Sequence, residues 1–276
     1  METAALFLCF LQLPCLPDEL TPPPLVWEPT EVATEKPPAL PPPPPAPPMP
    51  ITPERATYRV SYGFLGEVAT VSLSLSDEPC ANGARKTVLR GEGKGDVLGF
   101  GKLDKRLESD FDPHARVPLR FTSKRLSNGK FIVDTASQAK PGEVSTQRDH
   151  PGEPSSQITL SRDKGILDPL TFLLRVRLDV PAQNTTYELL DGRGFWRFTL
   201  APEPCSDPRF IQLKGKAEML FLDGNVDPDK TSRRFTLYLA KDRHHVPVKL
   251  VLHMGLGDVR AELVDFAPQM GPGMRT

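Results

Sequence analysis

The sequence predicts a mainly β domain, a single strongly curved antiparallel sheet or open β-barrel with one helix packed in its concave face. Three observations carry this. From Tyr58 onward, apolar residues alternate with polar ones over many short runs, which is the period of strands buried on one side. Glycine, proline and asparagine punctuate those runs as turns. One segment, Leu167 to Asp179, breaks the alternation with a dense apolar stretch. A lone apolar helix in an all-β chain is most easily buried in the hollow of a curved sheet or the mouth of a barrel.

The first two strands are marked by Tyr58, Val60, Tyr62 and Phe64, then by Ala69, Val71, Leu73 and Leu75, with the turn at Leu65-Gly66. Further strands are predicted at Arg85–Arg90, Gly101–Phe111, Leu119–Leu126 and Lys130–Ser137. The last two are joined by Ser127-Asn128-Gly129, whose Asn-Gly favours a tight hairpin turn. Between Ala139 and Ser156 the composition turns to Pro, Gly, Ser, Glu and Gln and reads as a surface loop. The pattern resumes at Thr186–Leu190, Phe195–Leu200, Ile211–Phe221, Arg234–Ala240, Val246–His253 and Val259–Phe266. This makes about a dozen strands in a meander.

In "LDPLTFLLRVRLD" Asp168 is a good N-cap, and Pro169 sits at the first helical position, where proline is tolerated. Leu170, Phe172, Leu173, Leu174, Val176 and Leu178 surround the axis rather than forming one stripe, as in a helix buried on most sides. Arg175 would then lie near the core and need a partner. A buried strand with a continuous apolar run is the alternative reading of the segment.

The N-terminal part is of a different kind. Residues 1–20 hold an apolar run from Ala4 to Leu13, far short of the ~20 residues that span a bilayer. They read as a degenerate leader without a positive start or a good cleavage site. Leu13-Pro14-Cys15 is a poor lipobox, so a lipid anchor is not supported, and a cytosolic N-terminal tail is the alternative. Residues 21–55 are proline-rich and read as a polyproline II spacer with a reach of ~100 Å, or as a ligand for a proline-binding module. The β-rich domain is expected over 56–268 and a disordered tail over 269–276.

Composition narrows the function. Thirty-four basic and 35 acidic residues give a net charge of −1, so there is no broad basic field for nucleic acid. The four cysteines show no C-x-x-C spacing, which argues against a zinc ribbon or a thiol redox site. Cys80 and Cys205 each follow Glu-Pro at a strand end, and in an oxidising compartment a bridge between them would close a long loop. "KDRHHVPVKL", Lys241–Leu250, invites a metal or catalytic reading, but two adjacent histidines point in different directions and His253 lies ~25 Å along a straight strand from His245. It reads as a turn. "GEGKGDVLGFG", Gly91–Gly101, lacks a phosphate-loop lysine and a following helix, and reads as a bend or a barrel corner.

No cofactor, metal or catalytic residue is expected. The candidates for ligand contact are Phe172, Arg175 and Trp196 near the helix, with Tyr62 on the first strand, where an arginine at the mouth of an apolar cavity would meet a polar head group. The expected role is non-enzymatic: binding a lipid-like envelope molecule, or alternatively serving as an envelope protein-interaction scaffold with a filled core. No transmembrane helix is expected, and the predicted location is the periplasm or cell envelope after export.

The sequence resembles the bacterial domain-of-unknown-function family 3108, exported β-rich proteins. The resemblance rests on Tyr58-x-Val60, "ESDFDP" at Glu108–Pro113, the helix start Asp168-x-Leu170 ending at Arg175, Asp191-Gly192-Arg193, Asp242-Arg243, Val246-Pro247-Val248, and Gly257-Asp258-Val259-x-Ala261-x-Leu263. It covers Ala56 to Phe266. It implies an unclosed, strongly curved sheet with a helix on the concave side, similar in outline to bacterial lipoprotein carriers, and no established activity. The proline spacer, the weak leader and Ala240 depart from the family pattern.

Overall fold

The computed structural model describes residues 52–79, 85–97, 101–112, 116–127, 129–140, 143–152, 154–161, 166–192, 194–222, 232–254 and 257–268. The segments expected as leader and tail, nearly all of the expected spacer, and Cys80 lie outside them. Eight strands come first: β1 (Glu54–Tyr62), β2 (Glu67–Pro79), β3 (Arg85–Val97), β4 (Gly101–Asp112), β5 (Val117–Ser127), β6 (Lys130–Lys140), β7 (Glu143–Asp149) and β8 (Ser156–Ser161). The helix α1 (Pro169–Leu178) follows, and then β9 (Thr185–Asp191), β10 (Gly194–Glu203), β11 (Phe210–Leu222), β12 (Ser232–Ala240), β13 (Pro247–His253) and β14 (Val259–Pro268).

All fourteen strands form one antiparallel sheet in the order β8-β7-β6-β5-β4-β3-β2-β1-β14-β13-β12-β11-β10-β9. The meander expected from the sequence is there, with one addition. The first and last strands pair at the centre, from Glu54 with Pro268 to Tyr62 with Val259, and the two halves of the chain fan out from that seam. The sheet stays open, with β8 and β9 at its edges. The helix lies in the crossover between those edges. Just before it, Leu167 bridges in parallel to Leu189, its N–H donating to Glu188 O at 3.0 Å and its carbonyl accepting from Leu190 N at 2.8 Å. Bulges in β1, β4, β6, β10, β12 and their partners add to the strand twist that curls the sheet.

The hollow is apolar on one side and mixed on the other. On β10 to β13 the inward residues include Phe195, Trp196, Phe198, Leu200, Leu213, Leu237 and Leu239, all buried. Phe195 and Trp196 are neighbours in sequence yet both fully buried, because the β10–β11 register slips between them. At Gly215 a Cβ would lie 2.1 Å from the ring of Phe235, its cross-strand partner, so glycine is required for that ring to lie flat on the strand. On β4 to β7, Lys105, Ser109, Ser123, Asp134 and Thr146 are buried among Leu103, Leu107, Phe121, Ile132 and Val144.

That mixed face explains the clearest departure from the sequence reading. The predicted loop Ala139–Ser156 contains the end of β6 and the whole of β7, and β8 starts at its last residue. In "EVSTQRD" the inward positions are Val144 and Thr146, with Arg148 paired to Asp134 at 2.6 Å, so a strand survives with one large apolar anchor. Composition alone conceals it. Of the glycine-rich stretch, Gly91 to Val97 belong to β3 and Gly101 opens its antiparallel partner β4, with Val97 opposite Gly101, while residues 98–100 lie outside the described residues. The first strand begins at Glu54, two residues before the expected domain start, and Glu54 is buried.

Candidate functional site

The helix is held at both ends and is only half packed between them. At its N-terminus the Asp168 carboxylate accepts from Leu170 N at 2.8 Å and Thr171 N at 3.0 Å, the N-cap read from the sequence. The same carboxylate accepts from the hydroxyls of Thr171 and Ser109, each at 2.6 Å, and Ser109 comes from β4. Burial pushes the Asp168 carboxyl above the usual carboxylate range, against the pull of these four hydrogen bonds.

At the C-terminus Arg177 ties three elements together. Its guanidinium makes a two-pronged pair with Glu54 of β1, one arm at 3.0 Å, and donates to His244 O at 3.2 and 3.3 Å. A cation in the last turn also suits the helix dipole. The "KDRHH" segment is the turn between β12 and β13, as expected. Asp242 Oδ1 accepts from His244 N and His245 N at 2.8 and 3.0 Å, and His245 takes a left-handed φ of 44°. The His245 ring then sits with Nδ1 3.0 Å from Arg177 O, on the open end of the helix. His244 through its carbonyl and His245 through its ring hold the end of the helix. Among the described residues no three His, Cys, Asp or Glu side chains are grouped as a metal ion would require.

Two faces of α1 meet different surroundings. Phe172 and Val176 are fully buried, with the Phe172 ring 5.2 Å from Tyr187 edge-on and 5.0 Å from Phe198. On the other side Leu170 and Leu173 overhang a cleft of ≈ 70 Å³ whose walls include Tyr58, Val71, Leu73, Leu107, Pro247, Leu250 and Ala261. Gly91 and Gly93 of β3 line it too, as does Lys105. A smaller space of ≈ 40 Å³ continues the cleft along the helix, sharing Tyr58, Leu73, Leu170, Leu173 and Pro247 and reaching Leu174 and Arg177.

The cleft has a local cause. Gly91, Gly93 and Gly95 recur at period two on one strand. At Gly91 a Cβ would stand 3.2 Å from Leu170 and 3.3 Å from Leu73, so side chains there would fill the space under the helix. Glycine in a strand interior marks a close approach, as at Gly95, where a Cβ would run into Val68 O of β2, whereas Gly91 and Gly93 line the cleft and leave room where the alternation calls for bulk. The period of these glycines was visible in the sequence and points to the cleft more directly than the aromatic residues did.

None of the four sequence-predicted contacts lines this cleft. Phe172 belongs to the filled side of the helix. Trp196 is fully buried, and its Nε1 finds no hydrogen-bond partner among the described residues. Tyr62 is half-buried at the end of β1, four residues from Tyr58, which does line the cleft. Arg175 is one-third exposed and 3.8 Å from Asp179, so it does not lie in the core; Arg177 takes that place. The phase of a helix shifts by about 200° over two residues, which puts the two arginines on different sides. Asp168 and Pro169 stand where the sequence put them. Cys205 is a half-buried free cysteine after β10, and its expected partner Cys80 lies outside the described residues.

Burial pushes the Tyr58 phenol well above the usual tyrosine range. A phenol raised in the folded state adds stability that is present below its unfolded value, near ~10, and is lost as pH rises past it. Tyr58→Phe is therefore expected to flatten the alkaline fall of the denaturation midpoint. An alkaline limb identical to that of the wild type would show that other groups set it.

Among the described residues no helix is long and apolar enough to cross a membrane. No curated protein matches the chain. Among solved structures it is similar to a β-barrel-like protein of the DUF1849 domain of unknown function from Brucella abortus, at 14% identity and a TM-score of 0.49, over 80% of this chain and 99% of that one. A protein from Bacteroides fragilis described as exported, with a YmcC-like fold, shares 10% identity at a TM-score of 0.28, over 78% and 95% of the two chains. The Mycobacterium tuberculosis lipoprotein LppX shares 11% identity at a TM-score of 0.22, over 80% and 88%. Residues 57–264 match the model of DUF3108, a protein family of unknown function. Since that match runs from β1 through the clamped helix to β14, the chain belongs to the DUF3108 family.

Proposed function

We propose that this protein is an exported, non-enzymatic binder of an apolar or amphipathic envelope molecule, taken up in the cleft beneath α1. The observation that carries the reading is the glycine-floored cleft, walled by leucines, tyrosine and proline, on one side of a helix whose other side is fully packed. Apolar walls with a few polar groups are the usual make-up of a small-molecule site. The alternative, an interaction scaffold with a filled core, calls for an exposed apolar patch. The large exposed hydrophobic residues among those described are Leu119 on β5 and Val264 on β14, strands that are not neighbours in the sheet. This favours the binder. Location in the periplasm or cell envelope goes with the leader-like start and the proline-rich spacer.

Native mass spectrometry of the full chain from an exporting host, followed by organic extraction, tests the reading. A discrete acyl compound is expected on the wild type and absent from Leu173→Trp, whose larger side chain fills the cleft. A clean mass for the wild type, unchanged after incubation with an envelope lipid extract, refutes it.

A further inference from the structure

The cleft contains a cation as well as apolar walls. Lys105, only 3% exposed, belongs to the wall, and its ammonium lies 3.4 and 3.5 Å from the two carboxylate oxygens of Asp191, which is 2% exposed. Asp191 stands at the end of β9, the far edge of the sheet, so this pair crosses the hollow. Both contacts are long for a charge-assisted hydrogen bond, which usually spans ~2.7–2.9 Å. Among the described residues Asp191 is the partner of this ammonium, so donor capacity remains. The other cations along the cleft are engaged: Arg177 by Glu54 and His244 O, Lys249 by Glu262 at 2.8 Å, and Arg90 by Glu78 and Glu108.

We infer that the ligand is a slender, unbranched acyl or alkyl chain with an uncharged hydrogen-bonding head, a hydroxyl or ester carbonyl, seated at Lys105, whose charge Asp191 balances from behind the wall. The inference rests on the binder reading above and adds the ligand's chemistry. Lys105 and Asp191 neutralise each other, so a carboxylate or phosphate head would bury a net charge in an apolar hollow, at a steep cost. A neutral head incurs no such cost. A hydroxyl or ester carbonyl accepts from the ammonium, which its long contacts to Asp191 leave with donor capacity. The ≈ 70 and ≈ 40 Å³ spaces, at ~10–15 Å³ for each water-sized group, suit a chain of about eight or nine such groups.

Calorimetric titration of the full chain with 1-decanol, decanoate and 1-chlorodecane, all below their micelle concentrations, tests this on the wild type, Leu173→Trp and the double variant Lys105→Met/Asp191→Leu. The double variant replaces the buried pair by apolar groups of similar size and is expected to fold. Taking the ratio of decanol to chlorodecane affinity within each protein makes the readout independent of the folded fraction. That ratio is expected to fall roughly tenfold in the double variant, the worth of a hydrogen bond to a charged group. An unchanged ratio, or tighter binding of decanoate than of decanol by the wild type, overturns the head-group assignment and leaves the cleft reading standing. If no probe separates the wild type from Leu173→Trp, the cleft reading itself falls and the head-group assignment falls with it.

Discussion

Arg177→Ala is expected to destabilise the fold by about 3–5 kcal/mol, the range for removing one partner of a buried ion pair. The Arg177 and Glu54 side chains are 14% and 11% exposed, so the carboxylate left behind would be stranded away from water. The guanidinium also donates twice to His244 O, so the turn between β12 and β13 would lose its hold on the helix. Arg175→Ala is the matched control. Its side chain is 35% exposed and pairs at 3.8 Å with an Asp179 that is 68% exposed, so a change within about 0.5 kcal/mol is expected. Urea denaturation of both variants decides the matter. Equal losses would mean that the helix end is not anchored through Arg177.

Phe172→Ala is expected to cost about 3–5 kcal/mol, because the ring is fully buried between Tyr187 and Phe198 and its removal leaves a cavity that the surrounding strands cannot close. Leu173→Ala, one residue away, should cost only about 1–2 kcal/mol, since that side chain is half-buried and already borders an open space. The contrast separates the filled side of the helix from the side that borders the cleft. If Leu173→Ala costs as much as Phe172→Ala, the cleft is closed in solution. Asp168, whose carboxylate joins the helix start to Ser109, is the other end of the same device.

Much of the architecture was legible in short windows of sequence. Tyr58, Val60, Ala69, Val71 and Leu75 alternate because a strand with one buried side has a period of two, and each is buried. Asp168 and Pro169 open the helix because capping needs only the three residues that follow. Asp242 closes its turn on the next backbone amides for the same reason. β7 was hidden because Val144 is its single apolar inward residue, and the Arg148 that follows is accommodated only where Asp134 waits on the neighbouring strand. The glycines of β3 were legible as a period but not as a cleft.

By itself, the sequence determined the fold class, the helix start and the turn chemistry, because each is an interaction between residues a few positions apart. The tertiary structure alone decided which residues face the cleft. Arg177 meets Glu54 across 123 positions and Lys105 meets Asp191 across 86, through strands whose neighbours are set by the pairing of β1 with β14. Helix phase chose Arg177 over Arg175, and Tyr58 lies along the cleft where Tyr62, at the end of β1, does not. A local pattern says that a residue is inside. What it meets there depends on the far half of the sheet, which curls back over it only when the whole chain has folded.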